Sequence, residues 1–160
     1  MKHRIGIIGC GNISDTYLEM NAKFSSLEVV AVSDMDIAKR DAQAAKYGVR
    51  ALEIDALLAS DVDAIVNLTP PAAHASVTLR ALEAGKHVYS EKPLAVSLAD
   101  GWAIRDLAVQ KGLRVGCAPD TFLGAGLQTA RELLEGGAIG QPLNAFASMM
   151  SRGPEGWHPN

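Results

Sequence analysis

The sequence predicts an α/β fold: one open, doubly wound, mostly parallel sheet with helices on both faces. Three observations predict it. Short apolar runs alternate with segments of helical period, as parallel strands and their crossover helices do. Runs such as "VVAV" and "AIVNL" are continuously apolar rather than alternating, which is how strands read when helices cover both sheet faces. Glycines stand where the helical segments stop.

In chain order, the first strand is expected at Arg4 to Ile8, followed by a glycine-rich turn and a helix carrying Ile13, Tyr17, Met20 and Phe24 on one side. Val29 to Ser33 is the second strand. Ala38, Ala42 and Ala45 mark a helix that stops at Gly48, and a weak strand lies near Val49 to Leu52. Ala64 to Thr69 is the fourth strand, "HASVTLRALEAG" a helix ending at Gly85, and His87 to Ser90 the fifth strand. "SLADGWAIRDLAVQKG" opens with Ser97 and Asp100 at capping-box spacing and stops at Gly112. Arg114 to Cys117 is the sixth strand. A last helix, about Ala125 to Glu135, carries Leu127, Ala130 and Leu134 on one stripe and ends at Gly136 and Gly137. "LNAFASMMS" then reads as one more strand and "RGPEGWHPN" as an irregular loop. A strand opening in a new direction with nothing after it to pair with suggests the start of a second domain, residues 143–160, after a first domain of residues 1–142.

Composition narrows the function classes. The 160 residues are 48% hydrophobic and 21% charged with net charge -3, and no run approaches the roughly 20 apolar residues of a membrane helix. With no cluster of Lys and Arg, neither nucleic acid nor a membrane surface is an expected partner. "MKHRIGIIGCG" is interrupted by glycines and followed by no cleavage site, so it does not read as a signal peptide. Two cysteines, Cys10 and Cys117, make no disulfide framework and point to the cytoplasm. His3, His74, His87 and His158 are too scattered for a metal site.

The chemistry gathers at the ends of strands. In "RIGIIGCGNIS", Gly9 permits a tight turn and Gly11 lets the backbone approach a pyrophosphate, with the amides of Asn12 and Ile13 at the helix start to hold the anion. Asp34 ends the second strand twenty residues after Ser14, where a carboxylate accepts from an adenosine ribose. The bland alternative is a plain turn and a helix cap. A carboxylate at Asp34 disfavours a 2′-phosphate, so NAD is favoured over NADP, although Lys39 and Arg40 lie nearby in sequence. After the fourth strand, Thr69, Pro70 and Pro71 form a rigid turn bordering the cofactor, with His74 either touching the ligand or serving locally. After the fifth, Glu91 and Lys92 precede Pro93. An arbitrary Glu-Lys pair is a surface ion pair, but at this rim Glu91 suits a ribose hydroxyl and Lys92 suits a substrate oxygen and proton transfer.

"GIIGCGNIS", Asp34, "TPPAAH", "AGKHVYSEKPLA" and "GAIGQP" together resemble the glucose-fructose oxidoreductase and inositol dehydrogenase family, Gfo/Idh/MocA. The resemblance implies a Rossmann fold, NAD(P)-dependent hydride transfer on a sugar, cyclitol or related polyol, a small-molecule substrate and a homo-oligomer. It also implies that Glu91 and Lys92 border the nicotinamide, with Lys92 catalytic. The family's later arginine-aromatic-proline motif falls in "CAPDTFLGAG", where Phe122 fits but Thr121 and Gly124 depart from it, so no substrate contact is carried over there. Similar proteins are about twice as long and complete the site from a second domain, which is largely absent here. These residues are therefore expected to bind the cofactor without turnover. The competing expectations are a non-catalytic dinucleotide sensor or partner-binding module and, more weakly, a site for another nucleotide such as S-adenosylmethionine.

Overall fold

The computed structural model describes residues 2–148 and 150–153. Its sheet contains β1 (His3–Ile8), β2 (Leu27–Ser33), β3 (Arg50–Ala51), β4 (Ala64–Asn67), β5 (His87–Ser90) and β6 (Val115–Cys117). The spatial order is β3-β2-β1-β4-β5-β6, with every neighbouring pair parallel. The chain winds outward from β1 to one edge, then returns to β4 beside β1 and winds to the other. The direction of winding thus reverses between β1 and β4, and in such sheets ligands bind at the carboxyl ends of the strands flanking that reversal.

Helices α1 (Ser14–Met20), α2 (Ile37–Tyr47), α3 (Ile54–Leu58), α4 (Pro71–Glu83) and α5 (Leu98–Lys111) join the strands. Two buried clusters show why. Ile7, Val32 and Leu68 pack with Cys10, Leu18 from α1 and Ala44 from α2. Their neighbours Ile8, Ala31 and Ile65 pack with Leu57 and Leu58 from α3, Val77, Ala81 and Leu82 from α4, and Ile104 and Ala108 from α5. Successive strand residues point to opposite faces, so consecutive apolar residues such as Ile7 and Ile8 stabilise both helix layers at once. Burial of each such side chain is worth about 1.5 to 3 kcal/mol.

Local signals end the helices as anticipated. Gly48 and Gly112 cap α2 and α5 in the left-handed conformation at φ 66 and 65°. Ser97 caps α5 by accepting from the amide of Asp100 and donating to its carboxylate. Three expectations are corrected. α1 stops at Met20, and Ile13 and Phe24 at its flanks are exposed, because the buried apolar residue of this helix is Leu18. β4 stops at Asn67 rather than Thr69, because the amide of Thr69 turns to the Asn67 side chain. No strand forms in residues 143–148, since no described segment offers them a ladder; Leu143 and Phe146 are exposed, and Met149 lies outside the described residues. The short α3 was not anticipated.

The chain divides into two compact units, one through Pro119 and one from Asp120. The second contains α6 (Ala125–Glu135), whose first turn is tied to its own preceding segment by Gln128 donating to the carbonyl of Phe122.

Candidate functional site

The turn after β1 is shaped by what its neighbours leave free. Gly9 has φ 106°, and a Cβ there would stand 2.6 Å from the backbone carbon and oxygen of Leu68 and 2.9 Å from the nitrogen of Thr69. Only glycine fits both the angle and the contact with the β4 turn. Around Gly11, by contrast, a Cβ would meet nothing within 4 Å. Among the described residues the amides of Gly11, Asn12 and Ile13 find no acceptor, and no side chain caps the start of α1. Open space over unpaired donors fits a pyrophosphate. Ser14 beneath it is buried, its hydroxyl donating to Gly11 O at 2.6 Å and accepting from Gln43 of α2.

Asp34 closes this end. Its carboxylate accepts from the amide of Cys10 at 2.6 Å and from that of Asp36 at 2.8 Å, which aims it at the glycine turn. Each oxygen keeps a lone pair for a ribose hydroxyl. Lys39 is paired with Asp36 at 3.5 Å, and Arg40 with Asp41 at 2.9 Å and with Glu53. Those carboxylates hold the Arg40 guanidinium above its ordinary value. Burial, helped by Asp34 and opposed by Arg40, pushes the Cys10 thiol up to about 11, so it is a neutral packing group.

The turns after β4 and β5 are built by side chains. Buried Asn67 donates to His74 O and to the Thr78 hydroxyl, and accepts from the amide and hydroxyl of Thr69. His74 is 1% exposed, with Nδ1 at 2.5 Å from Pro93 O and Nε2 at 2.6 Å from Thr69 O. It joins the two turns from below, while Pro70 stands exposed and Pro71 opens α4. Glu91 and Lys92 do not pair with each other. One Glu91 oxygen accepts from the Tyr17 hydroxyl at 2.9 Å and the other from the amide of Lys92 at 3.0 Å. The Lys92 ammonium is exposed and has no partner among the described residues, and the Lys92–Pro93 peptide is cis.

The site residues expected from sequence all fall at the carboxyl ends of β1, β2, β4 and β5, Gly9 to Ile13 on one side and Thr69 to His74 and Glu91 to Lys92 on the other. Tyr17 and Asn67 were missed as parts of it. The signal for Asn67 was present, a polar residue inside the apolar run "AIVNL", which must find internal partners when buried. Nothing local announced Tyr17. Elsewhere, His87 accepts from the Arg114 amide and His3 stands beside Asp63, while His158 lies outside the described residues. No group of metal-ligating side chains, and no helix long and apolar enough to cross a membrane, occurs among the described residues.

A sheet reversing between β1 and β4, a glycine turn pressed on Leu68 and an acidic end to β2 define a dinucleotide-binding α/β domain. Residues 3–118 match the model of an oxidoreductase family with an NAD-binding Rossmann fold. The chain belongs to that family, Gfo/Idh/MocA. It is 42% identical over 141 residues to a dTDP-3,4-didehydro-2,6-dideoxy-alpha-D-glucose 3-reductase of Streptomyces violaceoruber, covering 86% of this chain and 41% of that protein. It is 34% identical over 149 residues to inositol 2-dehydrogenase 3 of Saccharopolyspora erythraea, covering 91% and 44%. Among solved structures, the WlbA dehydrogenase of Bordetella pertussis, in complex with NADH and UDP-GlcNAcA, superposes with TM-score 0.83 at 30% identity over 88% of this chain and 45% of that one. The KijD10 3-ketoreductase of Actinomadura kijaniata, with NADP and TDP-benzene, superposes with TM-score 0.80 at 28% identity over 86% and 43%. The chain thus spans less than half the length of these relatives.

Proposed function

We propose that this chain is the cofactor-binding part of an enzyme that moves a hydride between a nicotinamide and a ring carbon of a sugar, cyclitol or related polyol, with Lys92 as the proton-transferring residue. The observation that carries this is the uncommitted Lys92 ammonium on the same rim of the sheet as the glycine turn. When bound, the nicotinamide takes up or supplies the hydride. Gly9, Gly11 and the amides of Asn12 and Ile13 hold the pyrophosphate, Asp34 the adenosine ribose, and Thr69, Pro70 and His74 shape the wall beside it. In reduction the Lys92 ammonium donates its proton to the carbonyl oxygen as carbon gains the hydride; in oxidation the amine takes the hydroxyl proton as carbon loses it. Glu91 keeps the Lys92 backbone in place and borders the ribose of the nicotinamide.

NAD is favoured over NADP, because the Asp34 carboxylate opposes a 2′-phosphate while Lys39 and Arg40 are tied to carboxylates of their own. The relatives named above act on a nucleotide-linked deoxysugar and on inositol, which supports a polyhydroxylated ring as the substrate class. We read residues 1–142 as the dinucleotide-binding domain and 143–160 as the start of a substrate domain, in a cytoplasmic homo-oligomer. The test uses the full-length enzyme. Lys92→Ala should lower kcat about 100- to 10,000-fold while NADH affinity changes less than about twofold. Unchanged turnover removes Lys92 from the chemistry, and tighter binding of NADPH than NADH overturns the cofactor preference.

A further inference from the structure

A lysine on a flexible stem is aimed only as well as the backbone beneath it is held. We propose that Tyr17 is a positioning residue for Lys92, acting through Glu91; the inference rests on the proton-transferring role given to Lys92 above. The Tyr17 ring packs against the cluster of Ile7, Cys10, Leu18, Val32, Ala44 and Leu68, so its hydroxyl is fixed by the same core that supports the glycine turn. That hydroxyl donates to Glu91 Oε1 at 2.9 Å, across 74 positions of sequence. Glu91 Oε2 receives the amide of Lys92 at 3.0 Å. The main chain of Glu91 is held as well, its amide donating to Asn67 O at 2.9 Å and its carbonyl accepting from the Ser90 hydroxyl at 3.1 Å. The Glu91 carboxylate is therefore a relay from α1 to the backbone that carries the ammonium.

Tyr17 also keeps the ammonium uncommitted. Glu91 and Lys92 are adjacent in sequence, and a carboxylate released from the Tyr17 hydroxyl is free to turn toward the ammonium and compete with a substrate oxygen for it. The hydroxyl holds the carboxylate on the α1 side. Tyr17 thus links the helix at the phosphate end of the crevice to the reactive group at its nicotinamide end.

Kinetics of Tyr17→Phe, Glu91→Ala and the double variant in the full-length enzyme test the proposal. Tyr17→Phe deletes one oxygen and should fold as the parent does, which a thermal melt checks. It should lower kcat about tenfold with NADH affinity changed less than about twofold, and should have no further effect on kcat in the Glu91→Ala background. Parental kcat in Tyr17→Phe overturns the proposal, as does an equal fold loss in both backgrounds. If Lys92→Ala abolishes turnover while Tyr17→Phe leaves it unchanged, only the positioning role of Tyr17 falls. If Lys92→Ala leaves turnover unchanged, the reading of Lys92 falls and this role falls with it.

Discussion

The glycine turn after β1 and the Glu91–Pro93 turn after β5 follow parallel strands of one sheet, yet opposite means hold them in shape. The first is held mainly by its backbone: Gly9 sits in the left-handed region against the backbone of Leu68, and its amide donates to the carbonyl of Ser33, with the Asp34 carboxylate on the next amide as the one side-chain tie. The second is held by side chains from elsewhere, Tyr17 on Glu91 and His74 on Pro93. A turn of the first kind has its requirement written in residue type at the turn itself. A turn of the second kind accepts many local sequences and depends on distant ones.

The contrast breaks most visibly at Gly9. Gly9→Ala combines a disfavoured φ with a contact no carbon tolerates, and should destabilise by about 3 kcal/mol or more in urea denaturation. Gly11→Ala, with space around it, should stay within about 0.5 kcal/mol of the parent while weakening NADH binding. Equal stability of the two variants would show that the glycine turn is not held by its backbone.

Next in size is His74→Ala, which removes the ring wedged between the carbonyls of Thr69 and Pro93, leaving the one that accepts its N–H without a partner beside a void. A loss of about 2 to 3 kcal/mol is expected, with faster hydrogen exchange around both turns. Unaltered exchange after β5 would contradict the side-chain account of that turn.

The smallest effect concerns Cys10, whose thiol titrates near 11 in the fold against an ordinary 9.0. The folded state favours the neutral thiol, so its contribution is complete below pH 9 and is lost as pH rises toward 11. A rise of that size lowers the thiolate fraction about 100-fold at pH 8, and with the thiol buried as well, alkylation of Cys10 should slow by at least about that factor relative to the unfolded chain. Equal rates would place the thiol outside the buried turn.

Much of the fold was legible because its determinants are local. Strand β5 and helix α6 appear with the bounds their sequence runs suggest, and α2 and α5 stop at Gly48 and Gly112, where the left-handed conformation favours a residue without Cβ. The glycine turn and Asp34 were legible for the same reason, a fixed spacing along one strand-helix-strand unit. "LNAFASMMS" shows the limit: its residues suit a strand, but a strand exists only where a neighbour accepts its hydrogen bonds.

Local sequence was enough for the alternation of strands and helices, the stops and the backbone-shaped half of the rim, since period, φ preference and spacing act over a few residues. Long-range packing alone made Tyr17 meet Glu91, brought the Glu91 amide to the carbonyl of Asn67, and set His74 against Pro93. Those contacts depend on the order β3-β2-β1-β4-β5-β6, which brings residues tens of positions apart onto one edge of the sheet. No local pattern of residues encodes a partner that arrives from another strand.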